Sequence, residues 1–238
     1  MSIRRDSADG TPGPAAATTM LSLDDMRRYM RRATVLIERH EALLDRLDEA
    51  LGDGDHGANM TIGLRSVVRA LDDAALHGDD PADVGGFLRL VGHTLVSSVG
   101  GASGPLYGTA FIEAGFFLAG VDRLDLGALA DGFEVGTRAL ARRGRCAVGD
   151  KTILDALAPA ARALRVAAHS GDPLTVALRD AAFAARAGMR ATIPLVARRG
   201  LALRLGERSR GHQDPGATSC FLLVRAMAML DDTEGAPR

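Results

Sequence analysis

The amino-acid sequence predicts an all-α fold in a single domain of about eight helices. Apolar residues recur at helical spacing along most of the chain, and the strict apolar/polar alternation that marks a strand is nearly absent. Aromatic residues, which favour strands, make up only 4% of the 238 residues. No internal repeat and no linker rich in proline, glycine and serine interrupts the chain after residue 20. One helical domain is therefore expected.

The helices can be placed in order from their caps and their apolar spacing. Ser22 is suited to cap the first helix, which is expected to end near Gly52. Gly144 and Gly200 lie where two later helices are expected to stop. After the first helix, the predicted helical segments are 58–76, 84–99, 105–119, 125–142, 151–168, 173–187, 189–199 and 215–230.

Aspartates precede four of these segments and are predicted to act as N-caps. Asp80, Asp172 and Asp214 are each followed by proline, which is favoured at the first helical position. Asp150 precedes the segment that is expected to start at Lys151. An aspartate at this position accepts a hydrogen bond from a backbone N–H of the first turn, so each of the four should fix a helix start.

The predicted domain covers residues 21–232. Residues 1–20 have no apolar signal-peptide core and are expected to form a disordered N-terminal tail, and residues 233–238 a short C-terminal tail. The net charge of −1 argues against nucleic acid or a membrane surface as a partner. No apolar run reaches the ~18 residues of a transmembrane helix. The two cysteines show no metal-ligand or disulfide pattern, which favours a cytoplasmic location.

The stretch LDEALGDGDHGANM, residues 47–60, concentrates negative charge in a glycine-broken turn. Asp48, Asp53 and Asp55 lie within eight positions, and unpaired carboxylates this close repel one another. A bound cation would remove that repulsion, and Mg²⁺ prefers carboxylate oxygens together with waters and substrate phosphates. An EF-hand calcium loop is excluded, because its sixth and twelfth positions are Ala58 and Leu64. A solvated turn with helix caps is the plain alternative.

The stretch SSVGGASGPLYGTAF, residues 97–111, places glycines and small residues ahead of a predicted helix start. Exposed backbone N–H groups there, with the hydroxyl of Ser103, suit an anion such as phosphate. Close packing of helices through small residues would explain the same sequence equally well. The sequence contains no G-x-x-x-x-G-K-[ST] motif, so a P-loop fold is excluded.

Two further glycine-containing stretches break the helical pattern. RGRCAVGDKTILDAL, residues 143–157, contains Lys151, the single lysine of the chain, which suggests a specific need for an ammonium group that bonds loop carbonyls or carboxylates. LGERSRGHQDPGATS, residues 205–219, crowds polar residues ahead of the predicted cap at Asp214. A helix N-terminus that faces such a cluster is suited to a ligand; the residues of the cluster are Glu207, Arg208, His212 and Gln213.

Together the four stretches resemble the nucleotide-binding L subunit, or L domain, of dihydroxyacetone kinases. The motifs occur in the family's order and spacing over about residues 22–231. The resemblance implies a barrel of eight antiparallel helices with ADP or ATP at one rim, held through two Mg²⁺ ions by three aspartates. It assigns the metal to Asp48, Asp53 and Asp55, which keep the family's intervals of five and two residues.

The resemblance also assigns nucleotide contacts one position at a time. The implied nucleotide-binding residues are His56, Gly57, Ala58, Asn59, Ala102, Ser103, Gly144, Ile153, Leu201, Asp214 and Pro215. Ile153 departs from the family's frequent methionine in the base pocket. Leu201 departs more strongly, because the family commonly has an arginine where this chain reads GLALRLGERS. Arg199 and Arg204 are the nearby residues that could replace that guanidinium.

The implied activity is phosphoryl transfer shared between two subunits. The nucleotide's terminal phosphoryl group would pass to dihydroxyacetone bound on a separate K-type subunit, with bridging metal ions neutralising charge. No catalytic residue is assigned on this chain, because no histidine lies in a recognisable nucleophile–base–orienter pattern. Either ATP exchanges as a substrate, or ADP stays bound and is rephosphorylated by a phosphocarrier subunit of a phosphoenolpyruvate-dependent relay. A free-standing L chain favours the relay, and a homodimer is left open.

Other functions are compatible with the same residues. The acceptor could be another small ketose or triose, or a fatty acid, although the motif GDGDHG fits the ketose kinases better than the fatty acid kinases. The chain could instead be a regulatory module that is loaded with Mg-ADP and docks a transcription factor. The plainest alternative is a helical domain whose glycine turns only cap helices, which four concurrent motifs disfavour.

Overall fold

The structure is a computed structural model that describes residues 20–230. The tails expected at 1–20 and 233–238 lie outside the described residues, apart from Met20. The described helices are α1 (Leu23–Glu49), α2 (His56–His77), α3 (Val84–Ser98), α4 (Ser103–Phe117), α5 (Leu126–Gly144), α6 (Leu154–Ser170), α7 (Leu174–Ala191), a 3₁₀-helix (Leu201–Ser209) and α8 (Pro215–Ala228). The predicted all-α class is confirmed.

The eight α-helices close into a barrel. Each helix packs against the next one along the chain, and α8 packs against α1, which completes the ring. Consecutive helices joined by short connections run antiparallel, as the resemblance implies. Within residues 20–230, extended pairing is limited to one antiparallel bridge between Leu21 and Leu124. Among the same residues, no helix is both long and apolar enough to cross a membrane.

Helices α3 and α4 approach closely through glycines. A Cβ atom at Gly92 would lie 2.7 Å from the carbonyl oxygen of Gly108, and one at Gly85 would lie 2.6 Å from that of Gly115. Any larger residue at these positions would push the two helices apart. Close packing therefore explains Gly108 in the second stretch, whereas Gly100 and Gly101 precede α4 and face the cleft described below.

Two of the predicted N-caps are confirmed. The Ser22 hydroxyl accepts a hydrogen bond from the Asp25 amide at 3.2 Å, and the Asp25 carboxylate accepts one from the Ser22 amide at 2.8 Å. This reciprocal pair is a capping box at the start of α1. Asp214 caps α8 by accepting from the Ala217 amide at 2.6 Å, with Pro215 in the first turn.

The other three predicted caps are wrong. Asp83 caps α3 in place of Asp80, because its carboxylate reaches both the Gly86 amide and the Gly120 amide, at 2.6 Å each. Pro173 rather than Asp172 precedes α7, and no side chain caps that helix. Helix α6 begins at Leu154, so Asp150 does not cap it.

The predicted helix at 189–199 is also wrong. Helix α7 continues to Ala191, where the Thr192 hydroxyl donates to the Met189 carbonyl at 2.7 Å and ends the helical ladder. Pro194 follows and has no N–H to continue it. The chain then forms a 3₁₀-helix over Leu201–Ser209, which the apolar spacing did not predict.

Candidate functional site

Three carboxylates converge in the loop between α1 and α2. One oxygen from each of Asp48, Asp53 and Asp55 can be chosen so that all three lie within 4.8 Å of one another. The Asp48 carboxylate accepts hydrogen bonds from the Gly54 and Asp55 amides, at 3.0 and 3.1 Å, which folds the loop back onto the end of α1. Gly54 allows this turn, because its φ of 82° lies in the left-handed region.

The carboxylate of Asp55 is not used to cap α2. It occupies the position before the helix but makes no side-chain cap hydrogen bond. Asp45 on α1 supplies the cap instead, since its Oδ1 accepts from the Gly57 and Ala58 amides at 2.7 and 3.1 Å. The cap-only explanation of the aspartate loop therefore fails for Asp55, whose oxygens are left for another partner.

The electrostatics of the loop fit a bound divalent cation. Burial raises the pKa of Asp48, and the neighbouring charge of Asp53 raises it further, so these carboxylates are costly to keep ionised together. A hard cation with oxygen ligands would offset that repulsion. Asp53 and Asp55 are exposed, which leaves room for water and phosphate oxygens to complete the coordination.

The helix after this loop meets the second glycine stretch. A Cβ atom at Gly100 would lie 2.6 Å from the Asn59 side-chain oxygen, so the two segments are in close contact and a larger residue at position 100 would displace the Asn59 side chain. Ala102 precedes α4 without any side-chain cap, and the first backbone N–H groups of α4 are therefore available to an anion. The hydroxyl of Ser103 lies beside them in the same cleft.

His56 joins the aspartate loop to the barrel interior. Its Nε2 lies 2.8 Å from the Ser219 hydroxyl, and its Nδ1 lies 3.3 Å from the Ser103 hydroxyl. The Tyr107 hydroxyl is 2.8 Å from the same Ser219 oxygen and donates to the Gly216 carbonyl at 3.2 Å. Burial lowers the pKa of His56 to about 4, so the imidazole is neutral at pH 7.

The opposite wall of the site is built by the α5–α6 connection and the start of α8. Asp155 holds the connection in place by accepting from the Gly149 and Thr152 amides, at 2.5 and 2.7 Å. Burial raises the pKa of Asp214 to about 7, so this α8 cap is close to half-protonated at neutral pH. Ile153 packs near this helix start, since a Cβ atom at Gly216 would lie 2.8 Å from its side chain.

These walls enclose one cleft of about 490 Å³. Most of the residues predicted from the sequence line it, and these are Asp48, Asp53, Asp55, His56, Asn59, Ala102, Ser103, Gly144, Ile153, Leu201, Asp214 and Pro215. Gly57 and Ala58 do not line it, because their amides face Asp45. The cleft lining thus combines the three carboxylates of the aspartate loop, the start of α4, and apolar side chains such as Leu106, Leu140 and Ile153.

Several lining residues were not predicted from motifs. Arg143 is one of them. Of the two arginines named above as possible replacements for the family arginine, Arg199 lines the cleft and Arg204 does not. The Arg199 Nε donates to the Arg145 carbonyl at 2.6 Å and lies 3.5 Å from the Asp150 carboxylate, which holds it against the α5–α6 connection. Tyr107 and Ser219 lie behind the lining, and their role depends on tertiary contacts with no local sequence signal.

The polar cluster expected ahead of α8 has a structural role. Glu207 pairs with Arg210 at 3.0 Å, and the Gln213 amide donates to the Thr218 hydroxyl at 2.9 Å. Neither Arg208 nor His212 lines the cleft. The part of this helix start that lines the cleft is therefore the Asp214–Gly216 segment rather than the cluster before it.

Comparisons with known proteins point to one family. A family model described as the DAK2 domain matches residues 50–229. The PEP-dependent dihydroxyacetone kinase 2, ADP-binding subunit DhaL, of Listeria innocua is 40% identical over 194 residues, which cover 81% of this chain and 87% of the relative. The corresponding Escherichia coli subunit is 38% identical over 209 residues, covering 88% of this chain and 97% of the relative.

Larger proteins contain a similar region. The L-erythrulose 1-kinase of Mycolicibacterium smegmatis is 38% identical over 227 residues, which cover 91% of this chain and 38% of the relative. The crystal structure of the C. freundii dihydroxyacetone kinase in complex with AMP-PNP and Mg²⁺ superposes with a TM-score of 0.64 at 25% identity. That match covers 96% of this chain and 38% of the solved chain.

Proposed function

This chain belongs to the DAK2-domain family, and on that premise we propose that it is the ADP/ATP-binding L subunit of a dihydroxyacetone kinase. The observation that carries the proposal is the convergence of Asp48, Asp53 and Asp55 beside the free N-terminus of α4, within one cleft. Relatives named as ADP-binding subunits share 38–40% of their residues with this chain over most of their length.

Each region of the cleft has a proposed task. The three aspartates would hold two Mg²⁺ ions, which when bound would neutralise and align the nucleotide phosphates. The helix N–H groups at Ala102 and Ser103 would receive phosphate oxygens, and the neutral His56 would orient the Ser103 hydroxyl toward them. Gly144 and Ile153 would line the base pocket, and the remaining proposed nucleotide contacts are Asn59, Leu201, Asp214 and Pro215.

Two of the implied contacts require a different explanation. The amides of Gly57 and Ala58 already donate to Asp45, so these residues would not donate to phosphate. We propose that they contribute by keeping α2 in register behind the aspartate loop. A Cβ atom at Gly57 would lie 2.2 Å from the Glu41 carbonyl oxygen, so the helix start must sit this close to α1.

The chain would act as one half of a two-part active site. Dihydroxyacetone would be bound by a separate K-type subunit and would receive the phosphoryl group from the nucleotide held here. ADP would remain bound and be rephosphorylated by a phosphocarrier subunit of a phosphoenolpyruvate-dependent relay, as the names of the Listeria and Escherichia relatives suggest. A chain that exchanges ATP freely is the alternative within the same function.

A second acceptor has specific support. The Mycolicibacterium relative, which contains a region 38% identical to this chain, is named for L-erythrulose. The residues of the cleft would contact the nucleotide rather than the acceptor, so acceptor choice would depend on the partner subunit. The two acceptors are distinguished by supplying dihydroxyacetone or erythrulose to the same reconstituted kinase.

Native mass spectrometry of the purified chain tests the proposal directly. A mass excess of one ADP and two Mg²⁺ per chain is expected, and the same spectrum reports whether the chain is a homodimer. Turnover is then measured with a K-type subunit from the same genome, with ATP or with phosphoenolpyruvate and its phosphocarriers as donor. A chain that binds no adenine nucleotide in the presence of Mg²⁺ contradicts the proposal. Nucleotide binding without turnover under either donor favours the regulatory module.

A further inference from the structure

Lys151 is the single lysine among the 29 lysines and arginines of the chain, and it is almost completely buried. Its backbone adopts a φ of 65°, a left-handed conformation that non-glycine residues rarely adopt. A buried cation in an unfavourable backbone conformation persists only where its surroundings require it. The contacts of its ammonium group show what requires it.

All three N–H donors of Lys151 bind backbone carbonyls of one segment. Nζ lies 2.9 Å from the Thr192 oxygen and 3.2 Å from the Leu195 oxygen, and it also donates to the His212 oxygen. We call residues 192–213 the cleft loop. Thr192 and Leu195 lie near its beginning and His212 near its end, so one ammonium group joins both ends of the loop.

The cleft loop carries part of the nucleotide cleft. Residues 199–202 line the cleft, and the loop leads directly into the α8 cap at Asp214. The Asp214 amide donates to the Thr192 hydroxyl at 3.0 Å, which joins the same two ends a second time. Lys151 is therefore one of three contacts that close the loop behind this cleft wall, the third being the Gly211 amide on the Ile193 carbonyl at 2.8 Å.

The cleft loop also reaches the metal side of the site. Ala197 and Ala202 form a small buried cluster with Leu51, and Leu205 packs against it. Leu51 lies in the aspartate loop, three residues after Asp48 and two before Asp53. A movement of the cleft loop would therefore disturb the packing under the aspartates as well as the apolar wall.

We propose that Lys151 is a positioning residue for nucleotide binding, and that it acts by closing the cleft loop over residues 192–213. This inference rests on the proposed function, because it concerns the nucleotide held in that cleft. An ammonium group suits the three carbonyl acceptors because it carries three N–H donors on one small nitrogen. The guanidinium of arginine is planar and larger, so its donors are spread more widely. Methionine at this position would leave three carbonyls without their shared donor.

The first test compares Lys151→Met with wild type by ADP titration in Mg²⁺ and by amide hydrogen exchange. We expect the ADP dissociation constant to rise at least tenfold, and exchange to accelerate in residues 192–213 while α3 and α4 stay protected. Lys151→Arg, which keeps a cation with several donors, should recover part of the affinity. Affinity within threefold of wild type in Lys151→Met overturns the positioning role, as does unchanged exchange in the cleft loop.

Arg165→Met is the matched control for a general loss of stability. Arg165 is a basic side chain that pairs with Asp131 and Glu134 and does not line the cleft. The Arg165→Met variant should have a lower melting temperature than wild type but the same affinity for ADP. An equal loss of affinity in both variants at similar melting temperatures would show that Lys151 acts only through global stability, and would overturn the proposal.

The wild-type chain provides a second measurement if Lys151→Met does not fold. Because the chain has one lysine, acylation by an amine-specific reagent, followed by peptide mass mapping, reports the opening of this closure at a single side chain. Lys151 itself borders the cleft, so acylation is read together with amide exchange: ADP with Mg²⁺ should slow acylation at least tenfold and also slow exchange in residues 192–213, and no change in either overturns the coupling. Failure of wild type to bind ADP overturns the proposed function, whereas ADP binding with unaltered affinity in Lys151→Met overturns only the role of Lys151.

Discussion

The Nε2 atom of His56 lies 2.8 Å from the hydroxyl oxygen of Ser219, although the two residues are 163 positions apart in the chain. This contact joins the first turn of α2, directly after the aspartate loop, to the buried face of α8. Tyr107 on α4 lies 2.8 Å from the same hydroxyl. Three helices that border the cleft are thus connected at one serine side chain.

Replacing Ser219 with alanine should weaken the site from behind. The substitution leaves a nitrogen of buried His56 and the Tyr107 hydroxyl without their shared partner, at a cost of about 1–3 kcal/mol in the free energy of unfolding. We expect ADP affinity to fall roughly tenfold, because His56 would no longer hold the Ser103 hydroxyl. Urea unfolding and calorimetric ADP titration measure the two effects.

The control for this variant is Ser97→Ala. Ser97 is exposed on α3, and its hydroxyl bonds only carbonyls of its own helix. Ser97→Ala should match wild type in both measurements. If Ser219→Ala binds ADP as tightly as Ser97→Ala does, the His56 contact does not position the nucleotide site.

Asn substitutions at Asp53 or Asp55 should abolish Mg²⁺-dependent ADP retention and preserve the helical circular dichroism. Removing one of three converging carboxylates lowers the charge available to a divalent cation. Without metal the variants should be as stable as wild type or more so, because repulsion with Asp48 is relieved. Asp180→Asn, on the exposed surface of α7, is the matched control. Retention within a few-fold of wild type in both site variants would contradict the metal assignment.

Nucleotide and Mg²⁺ should stabilise the fold together. A ligand that binds only the native state adds about 2.7 kcal/mol at a hundredfold excess over its dissociation constant, which corresponds to roughly 5–10 °C in melting temperature for a chain of this size. ADP in EDTA, or Mg²⁺ without ADP, should give only a small part of that shift. Differential scanning fluorimetry compares the four conditions. An ADP-induced shift that survives EDTA would mean that the phosphates are not held through metal.

The apo protein should lose stability as pH rises toward 8, because of Asp214. Burial raises its folded-state pKa to about 7 from an ordinary value of 3.8, so between these values the native state binds a proton that the unfolded state has released. This contribution is fully present below the unfolded pKa and is lost as pH rises through the folded one. Relative to Asp214→Asn, wild type should gain roughly 2–3 kcal/mol on going from pH 8 to pH 5.

Denaturant unfolding of wild type and Asp214→Asn between pH 5 and pH 8 measures the difference in their free energies of unfolding. The contributions of the other titrating groups largely cancel in this difference. Asparagine can still cap α8, so the variant is expected to fold. Parallel pH profiles for wild type and Asp214→Asn would show that the Asp214 carboxyl titrates normally in the folded protein.

The aspartate loop could be predicted from the sequence because its signal is local. Two glycines and alternating aspartates within one turn fix both the backbone conformation and the clustering of charge. The closed ring of helices was predicted only through the family resemblance. Apolar spacing predicts helices but does not say which helices pack together, so α8 against α1 has no local signature.

The misplaced elements have tertiary causes. The helix predicted at 189–199 does not form, although the segment contains the apolar residues Leu195 and Ala197. Ala197 is instead buried against Leu51 of the aspartate loop. The sequence suggested that the Lys151 ammonium bonds loop carbonyls or carboxylates, and in the structure it donates to three carbonyls. The left-handed backbone conformation of Lys151 was not predicted, because the contacts that accompany it involve residues some 40–60 positions away in the chain. The Asp45 cap was missed because Asp45 lies on the preceding helix, 12 residues before the Gly57 amide that it binds, rather than at the start of α2.

Leucine at position 201 offers a direct test of the nucleotide wall. The side chain lines the cleft and is 45% exposed, so a longer residue can enter the cleft from there without displacing the core. Arginine, as in the family pattern, would add charge-assisted hydrogen bonds worth about 1.5–3 kcal/mol each to a phosphate or to the nucleotide edge. Leu201→Arg should therefore retain ADP roughly ten- to a hundredfold longer than wild type.

Leu203→Arg is the matched control for this last prediction, since Leu203 is 54% exposed and does not line the cleft. It adds the same charge two residues away, so any general attraction of the basic surface for ADP appears in both variants. Dissociation rates are compared at equal Mg²⁺ and ionic strength, because exposed charges are screened by salt. If Leu201→Arg releases ADP no more slowly than Leu203→Arg, the guanidinium at 201 does not reach the nucleotide.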